Sequence, residues 1–259
     1  MLQDLKGSGE LAWRLLVRDL SAQYRQTLLG YLWAFLPPLV TTATWVFLNQ
    51  QAVVQISSPA IPYPLYVMIG SLLWQGFLDA LNSPLKALVN AKPMLVKISF
   101  PREALILAGL GEVIVNFLIR LVLLVPLVSW YRFDVPATAL VAVLGVAALM
   151  AFGLVLGLLL APVAILYGDV QRLLAVVTTF WFFLTPVIYP PPAEGLARLV
   201  VTWNPVAPLL VATRDWLTLG STGELLGFFV VASLTAGAMI AGWLFYRLAM
   251  PHVVARIGA

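Results

Sequence analysis

The sequence predicts an all-α membrane protein with six transmembrane helices, and three observations support this prediction. Of its 259 residues, 62% are apolar and only 10% are charged, which is too few charges to cover a water-soluble globule of this size. The apolar residues form long runs without the alternation expected of membrane-spanning strands. The cations gather on one side of the predicted spans. We therefore expect a single transmembrane domain over residues 1–259.

Residues 11–25 are predicted to form an amphipathic helix before the first span. At 100° per residue, one face collects apolar side chains: Trp13, Leu16, Val17, Leu20 and Tyr24. A neighbouring stripe carries Arg14, Arg18 and Arg25. This arrangement is typical of a helix that lies in the membrane interface. Such a helix either holds the first span in place or binds a partner or substrate directly, and the pattern leaves both possibilities open.

Six apolar runs are predicted to cross the bilayer. They lie at 31–54, 64–83, 104–129, 138–163, 173–189 and 226–246. The fourth run is rich in glycine and alanine, which allows close helix packing. Between the second and third runs, the segment 84–103 carries four cations and is predicted to be a cytosolic linker. Between the fifth and sixth runs, the segment 190–225 contains apolar pieces that are too short to cross. We expect re-entrant or interfacial half-helices there, on the extracytoplasmic side.

The distribution of lysine and arginine predicts the orientation of these spans. If the N-terminus is cytoplasmic, most cations fall on inner segments: Lys6, Arg14, Arg18, Arg25, Lys86, Lys92, Lys97, Arg102, Arg172, Arg247 and Arg256. The outer segments then hold only Arg132, Arg198 and Arg214. Because cytoplasmic segments of membrane proteins are enriched in Lys and Arg, both termini are expected in the cytoplasm.

Composition excludes several kinds of site. The chain has no cysteine, which excludes a disulfide scaffold, a thiolate metal site and a cysteine nucleophile. The single histidine, His252, cannot form a histidine metal cluster. The sequence also lacks a phosphate loop ending in Gly-Lys-Ser/Thr, so this chain does not hydrolyse ATP by that route. We expect it to hold no metal and no cofactor. A membrane transferase and a self-contained secondary carrier remain alternatives, although carriers usually show matching halves and this chain does not.

Three charged residues lie inside predicted spans, where charge is costly and usually functional or paired. Asp79 lies in the second span, and Glu112 and Arg120 lie in the third. Glu112, Asn116 and Arg120 are spaced by four residues, so one helical face carries all three. They either line a conduit or form structural pairs that set the helix register. A proton relay is a third possibility.

Five stretches of the chain, in order, resemble the ABC-2 type exporter permeases. They are RQTLLGYLWAFLPPL at 25–39, SFPRE at 99–103, YGDVQRLL at 167–174, FFLTPVIYP at 182–190 and WNPVAP at 203–208. Within that family they are most similar to permeases that export lipid-linked O-antigen, capsule or teichoic acid chains. Two positions depart from the family pattern. Gly168 replaces the arginine of a Tyr-Arg-Asp turn, and Pro37-Pro38 stands where Asn-Pro is common.

The resemblance implies a permease that is not itself an enzyme and that forms a homodimer in the inner (plasma) membrane. Two copies of a separate ATPase would bind ATP and Mg²⁺ and dock from the cytoplasm. The residues implied in coupling to that ATPase are Lys92, Lys97, Phe100, Arg102, Tyr167 and Asp169. A permease for drugs or small lipids is the alternative within the family.

Two further sets of residues are predicted to meet a lipid-linked glycan. Arg14, Arg18 and Arg25 are predicted to bind its phosphate, because a guanidinium group offers paired donors; unspecific attraction to anionic lipid is the competing explanation. Aromatic walls suit a long, uncharged glycan. The predicted conduit-lining residues, chiefly on the first and fifth spans, are Trp33, Phe35, Trp74, Phe77, Trp181, Phe182 and Phe183. Contact with lipid is the alternative for each of them.

Overall fold

The computed structural model describes residues 2–25, 30, 32–53, 56, 60–97 and 103–257; for 2–8, 23–25, 94–97 and 257 it describes the backbone alone. Within these ranges the chain forms ten helices and no strand, which confirms the all-α prediction. The helices are α1 (Leu2–Arg25), α2 (Leu32–Gln50), α3 (Tyr63–Lys97), α4 (Glu103–Leu121), α5 (Leu124–Trp130), α6 (Ala139–Ala164), α7 (Asp169–Leu184), α8 (Gly195–Trp203), α9 (Val206–Thr218) and α10 (Leu225–Ile257).

The N-terminal helix α1 begins earlier than predicted and packs against α4. Leu15 is buried in this contact, and the side chain of Leu16 lies against Gly111 of α4. Trp13 and Val17, which were predicted on the same apolar face as Leu16, are exposed. The predicted face is therefore divided, because one edge packs on the protein and the other remains available to lipid.

The second predicted span is only the first part of a 35-residue helix, α3. The helix continues beyond residue 84 to Lys97, through Pro84 and Pro93, so the described part of the predicted linker is helical. Leu85 and Leu88 are fully buried, and Pro84 packs beside Gly157 of α6. Burial of this face keeps the segment helical despite its prolines and cations.

The third predicted span is divided into α4 and α5, and Pro126 gives a local cause. Proline has no amide hydrogen to bond the carbonyl four residues back, and its ring crowds the preceding turn. The amides of Val122 and Leu123 bond instead to the carbonyls of Ile119 and Arg120, three residues back, at 3.2 and 3.0 Å. The chain thus makes one tight turn before the helix resumes.

Helix α6 lies close to α3 because glycines line the contact. A Cβ at Gly153 would lie 2.6 Å from the carbonyl oxygen of Phe77, and one at Gly157 would meet the carbonyl of Leu81. Close backbone approach through small residues is a usual mode of packing for membrane helices. The expectation from the Gly-rich and Ala-rich fourth run is confirmed here. α3, packed against α2, α4 and α6, forms the centre of the bundle.

Among the described residues, five stretches are long and apolar enough to cross a membrane: Leu32–Gln50, Tyr63–Pro93, Glu103–Trp130, Ala139–Ala164 and Leu225–Arg256. The protein is therefore a multi-pass membrane protein. The predicted fifth span corresponds to α7, whose 16 residues extend about 24 Å, less than the roughly 30 Å hydrocarbon core. Helices α8 and α9 meet at 93°, as a re-entrant segment would.

Candidate functional site

The re-entrant segment is held to the end of α7 by the side chain of Asn204. Its amide oxygen accepts hydrogen bonds from Trp181 Nε1 at 2.9 Å and from the amide of Val206 at 3.1 Å. Its amide nitrogen donates to Thr185 Oγ1 at 2.8 Å and to the carbonyl of Leu184 at 3.2 Å. One buried side chain thus caps the start of α9 and ties it to the C-terminus of α7.

The non-helical stretch after α7 is held from the other side by Arg214 of α9, which is almost fully buried. Its Nη1 donates to the carbonyls of Pro186 and Val187 at 2.9 and 3.3 Å. Its guanidinium carbon lies 3.8 Å from the ring centroid of Tyr66 on α3, a cation–π distance. The sequence analysis placed Arg214 on an outer segment and assigned it no role; its burial becomes visible only when α9 folds into the bundle.

Two tyrosines complete this cluster. The Tyr66 hydroxyl donates to the carbonyl of Tyr189 at 2.9 Å, and the Tyr189 hydroxyl donates to the carbonyl of Phe183 at 2.9 Å. Gly70 of α3 lets the carbonyl of Val187 approach closely. We call this network, formed by Tyr66, Trp181, Tyr189, Asn204 and Arg214, the gate cluster.

The seven aromatic residues predicted to line a conduit occupy different environments. Trp74 and Phe77 are 3% and 0% exposed and belong to the core, so in this conformation neither lines a conduit and that prediction is corrected. Their rings pack on each other at 5.2 Å between centroids, and their burial follows from the central place of α3. Trp181 and Phe182 are half-buried and pack edge-to-face on Trp74.

The other three predicted residues, all on α2 or α7, are more accessible. Trp33 and Phe183 are 51% and 52% exposed, and Phe35 is half-buried. Phe183 contacts Trp45 of α2 with ring centroids 6.3 Å apart, so the first span and α7 approach each other near the gate cluster. Both helices carry long rows of exposed apolar side chains. On α2 the row includes Leu36, Leu39, Val40 and Phe47, and on α7 it includes Leu173, Val176, Val177 and Phe180.

On the side of the bundle occupied by α1, a polar cavity of about 600 Å³ lies between α1, α3 and α4. Within this cavity, Arg120 of α4 forms an ion pair with Asp79 of α3. The Nε of Arg120 also donates to the carbonyl of Ala34 on α2 at 3.1 Å. Arg120 therefore joins three spans, which favours the structural interpretation for this residue. Its partner is Asp79 rather than Glu112, which lines the same cavity.

The predicted phosphate-binding arginines differ in their surroundings. Arg14 is exposed and paired with Glu10 at 2.6 Å. Arg18 is paired with Asp19 at 2.8 Å, and both side chains line the cavity. The side chain of Arg25 lies outside the described residues. Of the two arginine side chains that are described, only that of Arg18 lies where a ligand could meet other polar groups of the bundle.

The predicted coupling residues fall near the end of α3 and the turn before α7. Lys92 donates to the carbonyl of Ile165 at 3.4 Å, which joins the two segments. Tyr167 is exposed. Asp169 opens α7, where a carboxylate suits the helix N-terminus, and it pairs with Arg172 at 3.4 Å. Phe100, Arg102 and the side chain of Lys97 lie outside the described residues.

Comparison with known proteins identifies the family. The profile described as the ABC-2 type transporter matches residues 10–218, which span α1 to α9 and include both the cavity and the gate cluster. The chain belongs to the ABC-2 type transporter family.

Among curated proteins, this ABC-2 transporter chain is similar to permeases named for O-antigen export. It is 28% identical to the O-antigen export system permease protein RfbA of Myxococcus xanthus over 209 residues, which cover 76% of each chain. It is 23% identical to a protein of the same name from Klebsiella pneumoniae over 249 residues, which cover 90% of this chain and 91% of that one. These alignments extend over most of both partners. The described residues contain no group of three or more metal-ligating side chains.

Proposed function

We propose that this chain is the transmembrane subunit of an ABC exporter that carries lipid-linked polysaccharide of the O-antigen type across the inner membrane. The observation that carries the proposal is the alignment, over nine tenths of the chain, with a permease named for O-antigen export. The fold is consistent with it, since a bundle of spans with a re-entrant extracytoplasmic segment suits a passage for a long polar chain.

Energy for export comes from a separate ATPase, because the sequence has no phosphate loop of its own. The described surface that best suits docking is formed by the far end of α3 and the turn at Tyr167 and Asp169. These two segments are joined by the bond from Lys92 to the carbonyl of Ile165. Movement of one segment by the ATPase is therefore passed to the other, and along α3 to the centre of the bundle.

Two copies of the chain enclose the conduit. The support for this step is the pair of exposed apolar faces on α2 and α7, which approach each other through Trp45 and Phe183. In this arrangement Trp33 and Phe183 face the passage near the gate cluster. Both termini lie in the cytoplasm, as the positive-inside distribution indicates. The chain completes the crossing begun by α7 through the non-helical stretch that Arg214 holds.

The test uses a strain that lacks this chain and is complemented with it or with a variant. We expect surface O-polysaccharide to return with the wild-type chain, and purified ATPase to be stimulated only in the complex. Reversing charge at Lys97 and Arg102 together should weaken assembly or uncouple ATP hydrolysis, whereas Arg256→Glu, in the cytoplasmic tail, should do neither. Surface display without any ATPase partner would contradict the proposal. Restored drug resistance without surface glycan would favour the small-molecule alternative.

A further inference from the structure

The cavity between α1, α3 and α4 contains Lys86 and Glu112, two opposite charges that attract each other without a direct bond. Lys86 of α3 and Glu112 of α4 line it, and neither forms a hydrogen bond or ion pair with a residue in the described part of the chain. Ser83, which also lines the cavity, has a buried hydroxyl without a hydrogen-bond partner among the described residues. The other charges here are matched, Arg18 with Asp19 and Arg120 with Asp79.

The Ser83 hydroxyl is buried, and a buried hydroxyl without a partner costs free energy unless a ligand or water satisfies it. Lys86 is exposed and Glu112 is half-buried, so a ligand that enters the cavity can reach both charges. Lys86 offers a positive charge that suits a phosphate, and Arg18 lies on the opposite wall. Glu112 offers an acceptor for hydroxyl or ammonium hydrogens. The cavity therefore suits a ligand that carries a negative charge and hydrogen-bond donors side by side.

The helices that border the cavity indicate how such a ligand reaches it. One wall is α1, an amphipathic helix whose outer side leaves Trp13 and Val17 exposed, as in helices that lie at headgroup depth. Lys86 lies on α3 beyond Asp79, towards the end that carries Lys92 and Lys97. A lipid whose tail remains in the bilayer can place its head between α1 and α3 without leaving the membrane interface.

We propose that this cavity binds the head of a membrane lipid in which a phosphate is next to hydroxyl or ammonium donors, with the phosphate at Lys86 and the donors at Glu112. The proposal rests on the proposed function, since a lipid-linked glycan carries phosphate next to sugar hydroxyls. Phosphatidylethanolamine has the same chemistry. Phosphatidylcholine lacks the donors and serves as the bilayer background.

The test is photolabelling of the whole permease–ATPase complex in phosphatidylcholine nanodiscs. One probe is a photoreactive polyprenyl diphosphate disaccharide, and the other is a photoreactive phosphatidylethanolamine. We expect labelled peptides from α1, α3 and α4 around the cavity. Lys86→Gln or Glu112→Gln should lower this labelling about tenfold, since each removes a charge-assisted bond. Arg256→Gln, which removes a cation outside the cavity, should leave it unchanged. Co-elution of the ATPase with each variant shows that it has folded.

Labelling by the glycan probe that depends on Lys86 supports the cavity as a substrate site. Labelling by phosphatidylethanolamine alone, if it also depends on Lys86, supports the proposed recognition of phosphate and donors and assigns the site to a resident lipid. Labelling by neither probe, or equal labelling of the wild type and both variants, overturns the inference and leaves a water-filled cavity. Surface display of glycan by wild-type cells is measured in parallel. Its failure would overturn the proposed function without affecting a positive labelling result.

Discussion

The indole nitrogen of Trp181 donates a hydrogen bond of 2.9 Å to the side-chain oxygen of Asn204. This bond joins the last turn of α7 to the break between α8 and α9, in which Asn204 lies. The same oxygen accepts the amide of Val206, so one atom serves as a helix cap and as an interhelical acceptor. The Asn-Pro step of the WNPVAP motif thus has a structural explanation.

Replacement of Asn204 should loosen the gate cluster. We expect Asn204→Ala to lower the free energy of unfolding by about 1–2 kcal/mol, because the cap and three bonds to the end of α7 are lost. Asn204→Asp keeps the acceptor but loses both donors, so its effect should be intermediate. Thermal unfolding of the purified protein in detergent provides the measurement, with exposed Thr202→Ala as the control. Equal stability of Asn204→Ala and wild type would show that the network does not hold α9.

The Asp79–Arg120 ion pair should behave as a coupled unit. Arg120→Gln leaves the Asp79 carboxylate unmatched within a span, which we expect to cost about 3–5 kcal/mol. Adding Asp79→Asn should recover part of this loss, since the double variant has no unpaired charge. A double-mutant cycle on thermal unfolding gives the coupling energy, and Arg132→Gln in the exposed turn after α5 is the control. Strictly additive losses would mean that the two side chains act independently.

Close packing of α6 on α3 predicts a marked difference between two glycines. A Cβ at Gly157 would meet the backbone carbonyl of Leu81, whereas one at Gly237 of α10 has nothing within 4 Å. Gly157→Ala should therefore destabilise the protein by about 1–3 kcal/mol. Gly237→Ala should be neutral or slightly stabilising, because alanine favours the helix. Yields and melting temperatures of the two variants test this, and the same decrease for both would contradict the close contact between α3 and α6.

The orientation is open to a direct test, because the chain has no native cysteine. Single cysteines introduced at Ser8 and at Ser221 should react with a membrane-impermeant maleimide from opposite sides. The first should react only after the membrane is opened, and the second in intact spheroplasts. A reagent that labels both from the same side would contradict the five crossings expected between these two positions.

Many features of the protein follow from its sequence alone. Low charge and long apolar runs determine that it is a helical membrane protein, because a bilayer leaves no other partner for so much apolar surface. The short apolar pieces within 190–225 predicted the half-helices that the structure shows as α8 and α9. The glycines of the fourth run predicted a close helix contact. Each of these conclusions depends on the local pattern of residues and on the surrounding lipid or water, and that local pattern is visible in a single sequence.

The partners of individual side chains were decided by the tertiary structure. Spacing along one helix suggested that Glu112 and Arg120 belong together, but Arg120 pairs across the bundle with Asp79. Trp74 and Phe77 had the aromatic character of a conduit wall, yet the central position of α3 buries them. In the sequence Arg214 resembles a loop cation, but in the structure α9 packs into the bundle and buries it. Helical periodicity tells which residues share a face, but which helix covers that face depends on contacts between segments far apart in the chain.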